Sequence, residues 1–256
     1  MRREMVAARD VMGGLAKGLA VIESFTAERP RQSIAEVSAT SGLDRATARR
    51  CLLTLAELGY ADYDGKFFTL TPRVLRLGTA CLATMPLPRL VQPTLDRLSE
   101  TLNESVSVSI LDGAEIVYVA RAARQRVMSI GLSPGSRLPA YCTSMGRVLL
   151  ASLAEAEARA VLGAGPLPAR TALTLTVPTQ IMARLELVRS RGFEVIDQEV
   201  EIGLRSIAVP LMNARGRVVA ALNVGVAAVQ KSVEDLQVQF LPALLQAQAM
   251  LRPMLT

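Results

Sequence analysis

Arg45, Thr47, Arg49 and Arg50 fall close together in the chain. On a helix they occupy the first two turns and lie largely outside an apolar stripe of Ala48, Cys51, Leu52, Leu55 and Leu58. A guanidinium can grip a guanine edge bidentately or clamp a phosphate. Residues 135–151 (GSRLPAYCTSMGRVLLA) offer a second chemistry, with small polar groups where a loop enters a helix. The free N–H groups of a helix start favour an anion. Residues 197–210 (DQEVEIGLRSIAVP) set an acidic run before Gly203 and Arg205 at the head of an apolar strand. Together these two segments could wall a pocket that holds a small anion by backbone donors, hydroxyls and one arginine. Arg137, Arg147 and Arg205 are its candidate carboxylate partners. Blander readings stay open: a solvated arginine face, Thr143 and Ser144 as helix caps, and Arg205 paired with Asp197, Glu199 or Glu201.

Other chemistries are poorly supplied. The chain has 256 residues and no histidine, which removes His-dependent triads, His general bases and His metal sites. Cys51, Cys81 and Cys142 are far apart and form no C-x-x-C pair, so neither a disulfide framework nor a zinc ribbon is expected. Cys142 has no histidine to activate it. No G-x-S-x-G elbow or Walker loop is present. We expect neither an enzyme nor a cofactor. The net charge of +6 suits a polyanionic partner. No apolar run is long enough to span a membrane, and the first residues lack a secretory h-region, so a cytoplasmic protein is expected.

The elements that must position these residues can be read from caps and turns. Residues 1–14 read as a flexible arm. A helix follows over 15–25, with Leu15, Leu19, Ile22 and Phe25 on one face. Ser33 with Glu36 forms a capping box for a short helix, Ser41-Gly42 turns it, and Asp44 caps the arginine helix, which Gly59 stops. Asp64-Gly65 between two β-prone runs predicts a hairpin with Lys66 near its tip. Thr71-Pro72 opens a helix to about residue 84, which Pro86 and Pro88 should stop. It shows apolar Val74, Leu75, Leu77, Cys81 and Leu82. Beyond it we expect a helix at 90–102 and strands at 105–110, 115–120 and 127–132. Helices at 144–153, 155–162 and 179–191 come next, then strands at 193–196, 206–211 and 218–226, and a helix at 233–251. This is an α+β pattern around an antiparallel sheet.

Helix, turn, arginine helix and hairpin, in that order, match a winged helix-turn-helix that lays one helix in the major groove. The chain here resembles the IclR-type transcriptional regulators. The likeness rests on residues 16–22 (AKGLAVI), 33–37 (SIAEV), 41–43 (SGL) and 53–60 (LTLAELGY), and most specifically on 135–151 and 197–210. It implies a winged helix-turn-helix over 15–71, a linker helix over 72–88 and a GAF-like effector-binding domain over 89–256. It also implies operator contacts from Ser33, Arg45, Thr47, Arg49, Arg50 and Lys66. Effector contacts would come from Tyr141, Thr143, Ser144, Met145, Gly146, Asp197, Arg205, Ser206, Asn223 and Gly225. Some members carry cysteine where this chain has Ser206, so the effector need not be shared.

The wording is closest to the branch that regulates protocatechuate, 4-hydroxybenzoate and β-ketoadipate catabolism. An aromatic or dicarboxylic acid effector is therefore implied, with a glyoxylate- or pyruvate-like acid as the alternative. An enzyme and an effector-free interaction module are remote alternatives. The expected partners are double-stranded operator DNA, the acid, and a second copy in a homodimer or dimer of dimers.

Overall fold

The computed structural model describes residues 10–26, 28–124 and 131–255. Most of the expected arm, the greater part of the expected strand at 127–132 and the side chain of Leu82 lie outside the described residues. The chain divides into two units between Ala83 and Thr84.

In the first unit, α1 (Gly13–Glu23), α2 (Ile34–Ser41) and α3 (Arg45–Glu57) enclose a small core of Val21, Val37, Ala48, Leu52, Leu55, Ala61 and Phe68. Each boundary has a local cause. Ser33 accepts from the Glu36 N–H while its own N–H donates to the Glu36 carboxylate at 2.7 Å, which completes the capping box. Gly42 ends α2 at φ 70°, in the left-handed region that glycine enters freely. The Asp44 carboxylate accepts from the Thr47 N–H at 2.9 Å and starts α3.

Three strands form the wing sheet: β1 (Arg31–Ser33), β2 (Ala61–Tyr63) and β3 (Phe67–Leu70), in the order β1-β3-β2. The short β1 is not evident from the sequence, because only pairing with β3 defines it. α4 (Leu75–Thr84) follows a tight turn at Pro72–Val74. Leu15, Leu19 and Leu58 are exposed rather than buried, so the apolar faces read for α1 and α3 are only partly used within this unit.

The second unit opens with α5 (Pro86–Leu102). α4 ends at Thr84, just before Pro86 as expected, and Pro86 and Pro88 lie in the first turn of the next helix. First-turn positions need no N–H donor, and proline pre-sets the helical φ there. A six-stranded antiparallel sheet follows: β4 (Ser105–Asp112), β5 (Glu115–Ala122), β6 (Arg137–Pro139), β7 (Glu194–Asp197), β8 (Leu204–Met212) and β9 (Val218–Ala227). The strand order is β6-β5-β4-β9-β8-β7.

One face of the sheet carries α5 and the C-terminal helices, which are α9 (Val233–Asp235), a π-turn at Leu236–Phe240 and α10 (Leu241–Leu251). The other carries α6 (Ser144–Ala151), α7 (Glu155–Leu162) and α8 (Pro178–Arg191). Val106 and Val108 of β4 point into the first core, while Ser105, Ser107 and Ser109, all buried, point toward α6. Valine on one side and buried hydroxyls on the other mark the place where this sheet does something besides fold.

Candidate DNA-reading helix and effector cavity

Arg45, Arg49 and Arg50 are exposed on α3, and Ala48, Leu52 and Leu55 anchor the opposite face. Thr47 departs from expectation: it is only 7% exposed. Its backbone N–H is tied to Asp44, and its side chain lines a groove with Gly14, Lys17 and Gly18 of α1. Arg50 lines the same groove and donates to the Thr47 hydroxyl at 3.5 Å, so Thr47 sits beneath Arg50 and faces α1 rather than standing among the exposed arginines. Ser33 has its hydroxyl engaged in the capping box, donating to Glu36 Oε2 at 2.7 Å. Lys66 is exposed on the wing. The wing is pinned by Asp64, which accepts from the Lys66 and Phe67 N–H groups at 3.0 and 2.8 Å. Arg31 reaches Asp64 at 2.5 Å and covers the Phe67 ring. The Arg31 bond, with those two backbone donors, holds the Asp64 carboxyl well below its ordinary range.

In the second unit a cavity lies between the sheet and the start of α6. Its wall includes Ser105, Tyr118, Arg121, Leu138, Thr143, Ser144, Met145, Val200, Leu204, Ser206, Asn223 and Gly225. Some 470 Å³ of non-protein space opens there, mouth included, of which about 30 Å³ has room for the centre of a water molecule. Thr143 caps α6 by accepting from the Gly146 N–H at 3.1 Å. Gly146 is required where it stands, since a Cβ there would lie 2.2 Å from the Ala140 carbonyl oxygen. Ser144 and Ser206 share a hydroxyl–hydroxyl bond of 2.9 Å across the cavity wall. Ser109 donates to the Met145 sulfur at 3.1 Å.

Six expected effector residues therefore meet here: Thr143, Ser144, Met145, Ser206, Asn223 and Gly225. Tyr141, Gly146, Asp197 and Arg205 are not part of the wall. Tyr141 is buried in the core beside α6 and donates to the Pro168 carbonyl. Asp197 and Arg205 bind each other in a two-point pair of 2.7 and 3.1 Å. That pair holds the Asp197 carboxyl below its usual value.

The other arginines are also committed. Arg137 bridges Glu115 and Asp112 on the surface. Arg147 is 1% exposed and is held by Glu194, Glu199 and the Tyr141 carbonyl. Burial pushes the Cys142 thiol up to about 11, which keeps it protonated and poorly nucleophilic at neutral pH.

Sequence reasoning missed Arg121. It is half-buried in the cavity wall, donates from Nη1 to Ser107 Oγ at 2.9 Å, and leaves Nε without a partner. Asn223 Oδ1 is a second buried polar atom without a partner. Alternation along β5 places Arg121 opposite Tyr118, but a bulge corrects this. Val108 pairs with Ala120 and Ser109 with Tyr118, so Val119 is the extra residue. A bulge re-aims the residues beyond it, and Tyr118 and Arg121 both reach the cavity. The buried serines of β4 were the available signal, since three hydroxyls spaced by two must line something polar.

Comparisons with known proteins agree with this architecture. A family model for the IclR helix-turn-helix domain matches residues 14–65, and one for the bacterial transcriptional regulator IclR C-terminal region matches 79–251. The Pca regulon regulatory protein of Pseudomonas putida is 47% identical over 93% of this chain and 82% of that protein. A crystal structure of a transcriptional regulator from Rhodococcus sp. RHA1 covers 93% of this chain and 96% of its own at 46% identity, with a TM-score of 0.76. The inducer-binding domain of PobR from Acinetobacter, a double mutant complexed with 3-hydroxybenzoic acid, matches at 32% identity and TM-score 0.62. That match covers 66% of this chain and 98% of the domain. The chain belongs to the IclR family: it is a ligand-responsive, DNA-binding transcriptional regulator and not an enzyme.

Proposed function

We propose that this regulator controls genes of aromatic-acid catabolism, in the protocatechuate, 4-hydroxybenzoate and β-ketoadipate class, and responds to a small organic acid held in the cavity beside α6. One observation carries the reading. A guanidinium with no ion-pair partner among the described residues, Arg121, opens on a cavity that is otherwise neutral. An unneutralised cation in a desolvated site is costly, and a carboxylate would offset that cost. The P. putida relative regulates the Pca regulon, and the PobR domain was solved with a hydroxybenzoic acid, which supports the same class of effector here.

Arg45, Arg49 and Arg50 are our candidates for operator contact, with Lys66 touching backbone or minor groove from the wing. Ser33 serves chiefly by holding α2. We assign the exposed Leu75 and Leu77 of α4, with Leu15, Leu19 and Leu58, to an interface with a second copy. A homodimer, or a dimer of dimers, would match paired half-sites by symmetry.

A second reading is a two- or three-carbon oxo-acid effector, favoured by the small enclosed room in the cavity. A thermal-shift screen separates the two. Hydroxybenzoates or β-ketoadipate should raise the melting temperature by several degrees at about 100 times Kd. A shift with glyoxylate or pyruvate alone would move the assignment to the second reading, and no shift with any acid would overturn both. On the DNA side, Arg49→Ala and Arg50→Ala should each weaken operator binding by about tenfold with the melting temperature kept. Normal binding by both variants would remove α3 from the reading role.

A further inference from the structure

We propose that Arg121 is the carboxylate anchor of the effector cavity and Asn223 the reader of its far end, so that the effector is a carboxylic acid bearing a second, hydroxyl or oxo, oxygen. This rests on the acid-sensing reading above and sharpens it. Three neighbouring strands supply one row of the sheet: Arg121 on β5 pairs with Ser107 on β4, and Ser107 pairs with Asn223 on β9. Directly paired residues share a face, so guanidinium, hydroxyl and amide form one polar row, and its two ends, Arg121 and Asn223, line the cavity. The line covers two strand spacings, about 10 Å between its end backbones.

Both ends are unfinished. Arg121 Nε and Asn223 Oδ1 are buried without partners, and Asn223 as a whole is only 8% exposed. Buried polar groups are nearly always satisfied, so an orphan at each end of one row marks where a ligand's polar groups belong. The two ends differ in kind. Arg121 carries a full positive charge, has no described acidic partner, and matches a planar carboxylate. Asn223 is neutral: its oxygen accepts from a hydroxyl, and its N–H groups donate to an oxo oxygen. Ser107, which accepts from Arg121, fixes the direction of the guanidinium between them.

No other described cation lines the cavity. Arg147 and Arg205 are bound to carboxylates of the protein and are not free to serve as anchors. Tyr118, which burial pushes up to about 12, stays a neutral wall at physiological pH and adds no anion to compete for Arg121.

Titration calorimetry on the full chain tests this with 4-hydroxybenzoate, benzoate, 4-hydroxybenzamide and β-ketoadipate. The wild type should prefer 4-hydroxybenzoate over its uncharged amide by on the order of 100-fold, and over benzoate by about fivefold. If the oxo-dicarboxylate is the better ligand, the same two anchors hold it, and the comparison identifies which source supplies the chemistry. Arg121→Met should abolish the acid-over-amide preference, while Arg121→Lys retains part of it. Asn223→Leu should abolish only the preference for the second oxygen.

Removing a half-buried cation that has no ion-pair partner among the described residues should leave the melting temperature of the Arg121→Met protein unchanged or raised. Undiminished acid binding by Arg121→Met overturns the anchor while leaving the acid-sensing reading intact. A fall in melting temperature alongside lost binding overturns it too, by marking Arg121 as structural. If the wild type binds no acid at all, the functional reading itself fails.

Discussion

Arg121 and Cys142 illustrate opposite uses of burial at the scale of a residue. Arg121 is left with an open donor beside a cavity, a state that favours whatever anion can enter. Cys142 is fully buried and its thiol is pushed up to about 11 by loss of water, so it behaves as a small apolar side chain. Its folded value lies above the ordinary thiol value, so at pH 8 the native protein should hold it unreactive. Iodoacetamide followed by peptide mass mapping should modify Cys142 only after unfolding, and rapid native labelling would contradict the burial argument. The lack of histidine removes the commonest activator of Cys142 and is legible in the sequence, whereas the role of Arg121 is not. Its orientation depends on one bulged residue, Val119, and strict alternation points it to the wrong face. The same limit applies to Arg205, where the sequence leaves a protein pairing open and the structure chooses Asp197.

Elements differ in how openly the sequence declares them. The reading head is declared locally: a capping box, a left-handed glycine, an aspartate cap and an Asp-Gly turn each act within a few residues, and all stand where expected. Thr47 escapes because helical periodicity alone does not say that α1 crosses α3 at its first turn. In the second unit the cavity wall depends on distant partners. The loop that carries Val200 is tied down by Thr171 and Thr174, which donate to the Gln198 and Glu199 carbonyls at 2.8 and 2.7 Å. Glu199 then accepts from the Leu175 N–H at 2.9 Å and from Arg147 on α6. Glu194, with no exposure, takes Arg147, Arg184 and Arg191. No spacing rule announces such a cluster. Breaking it should be expensive, because a buried guanidinium loses its counter-charge. Glu194→Gln should cost about 3 kcal/mol of stability in urea unfolding. A loss under about 1 kcal/mol would mean that the cluster is solvated and does not brace α6.

The whole molecule must join a DNA-reading unit to an effector-binding one, for which we propose an acid. Linkage requires that an effector which alters operator affinity be altered in its own affinity by the same factor, so the coupling can be measured from either side. It needs no assumption about the path between the units, only that the acid favours one arrangement over another. The decisive measurement is fluorescence anisotropy of an operator, selected by the protein from random DNA, titrated with and without saturating effector acid. Operator Kd should change by at least about fivefold, and the change should be absent in the Arg121→Met protein, whose affinity without acid stays at the wild-type value. An operator Kd that is the same with and without acid, while calorimetry shows the acid bound to the wild type, would contradict a coupling between the cavity and the reading head.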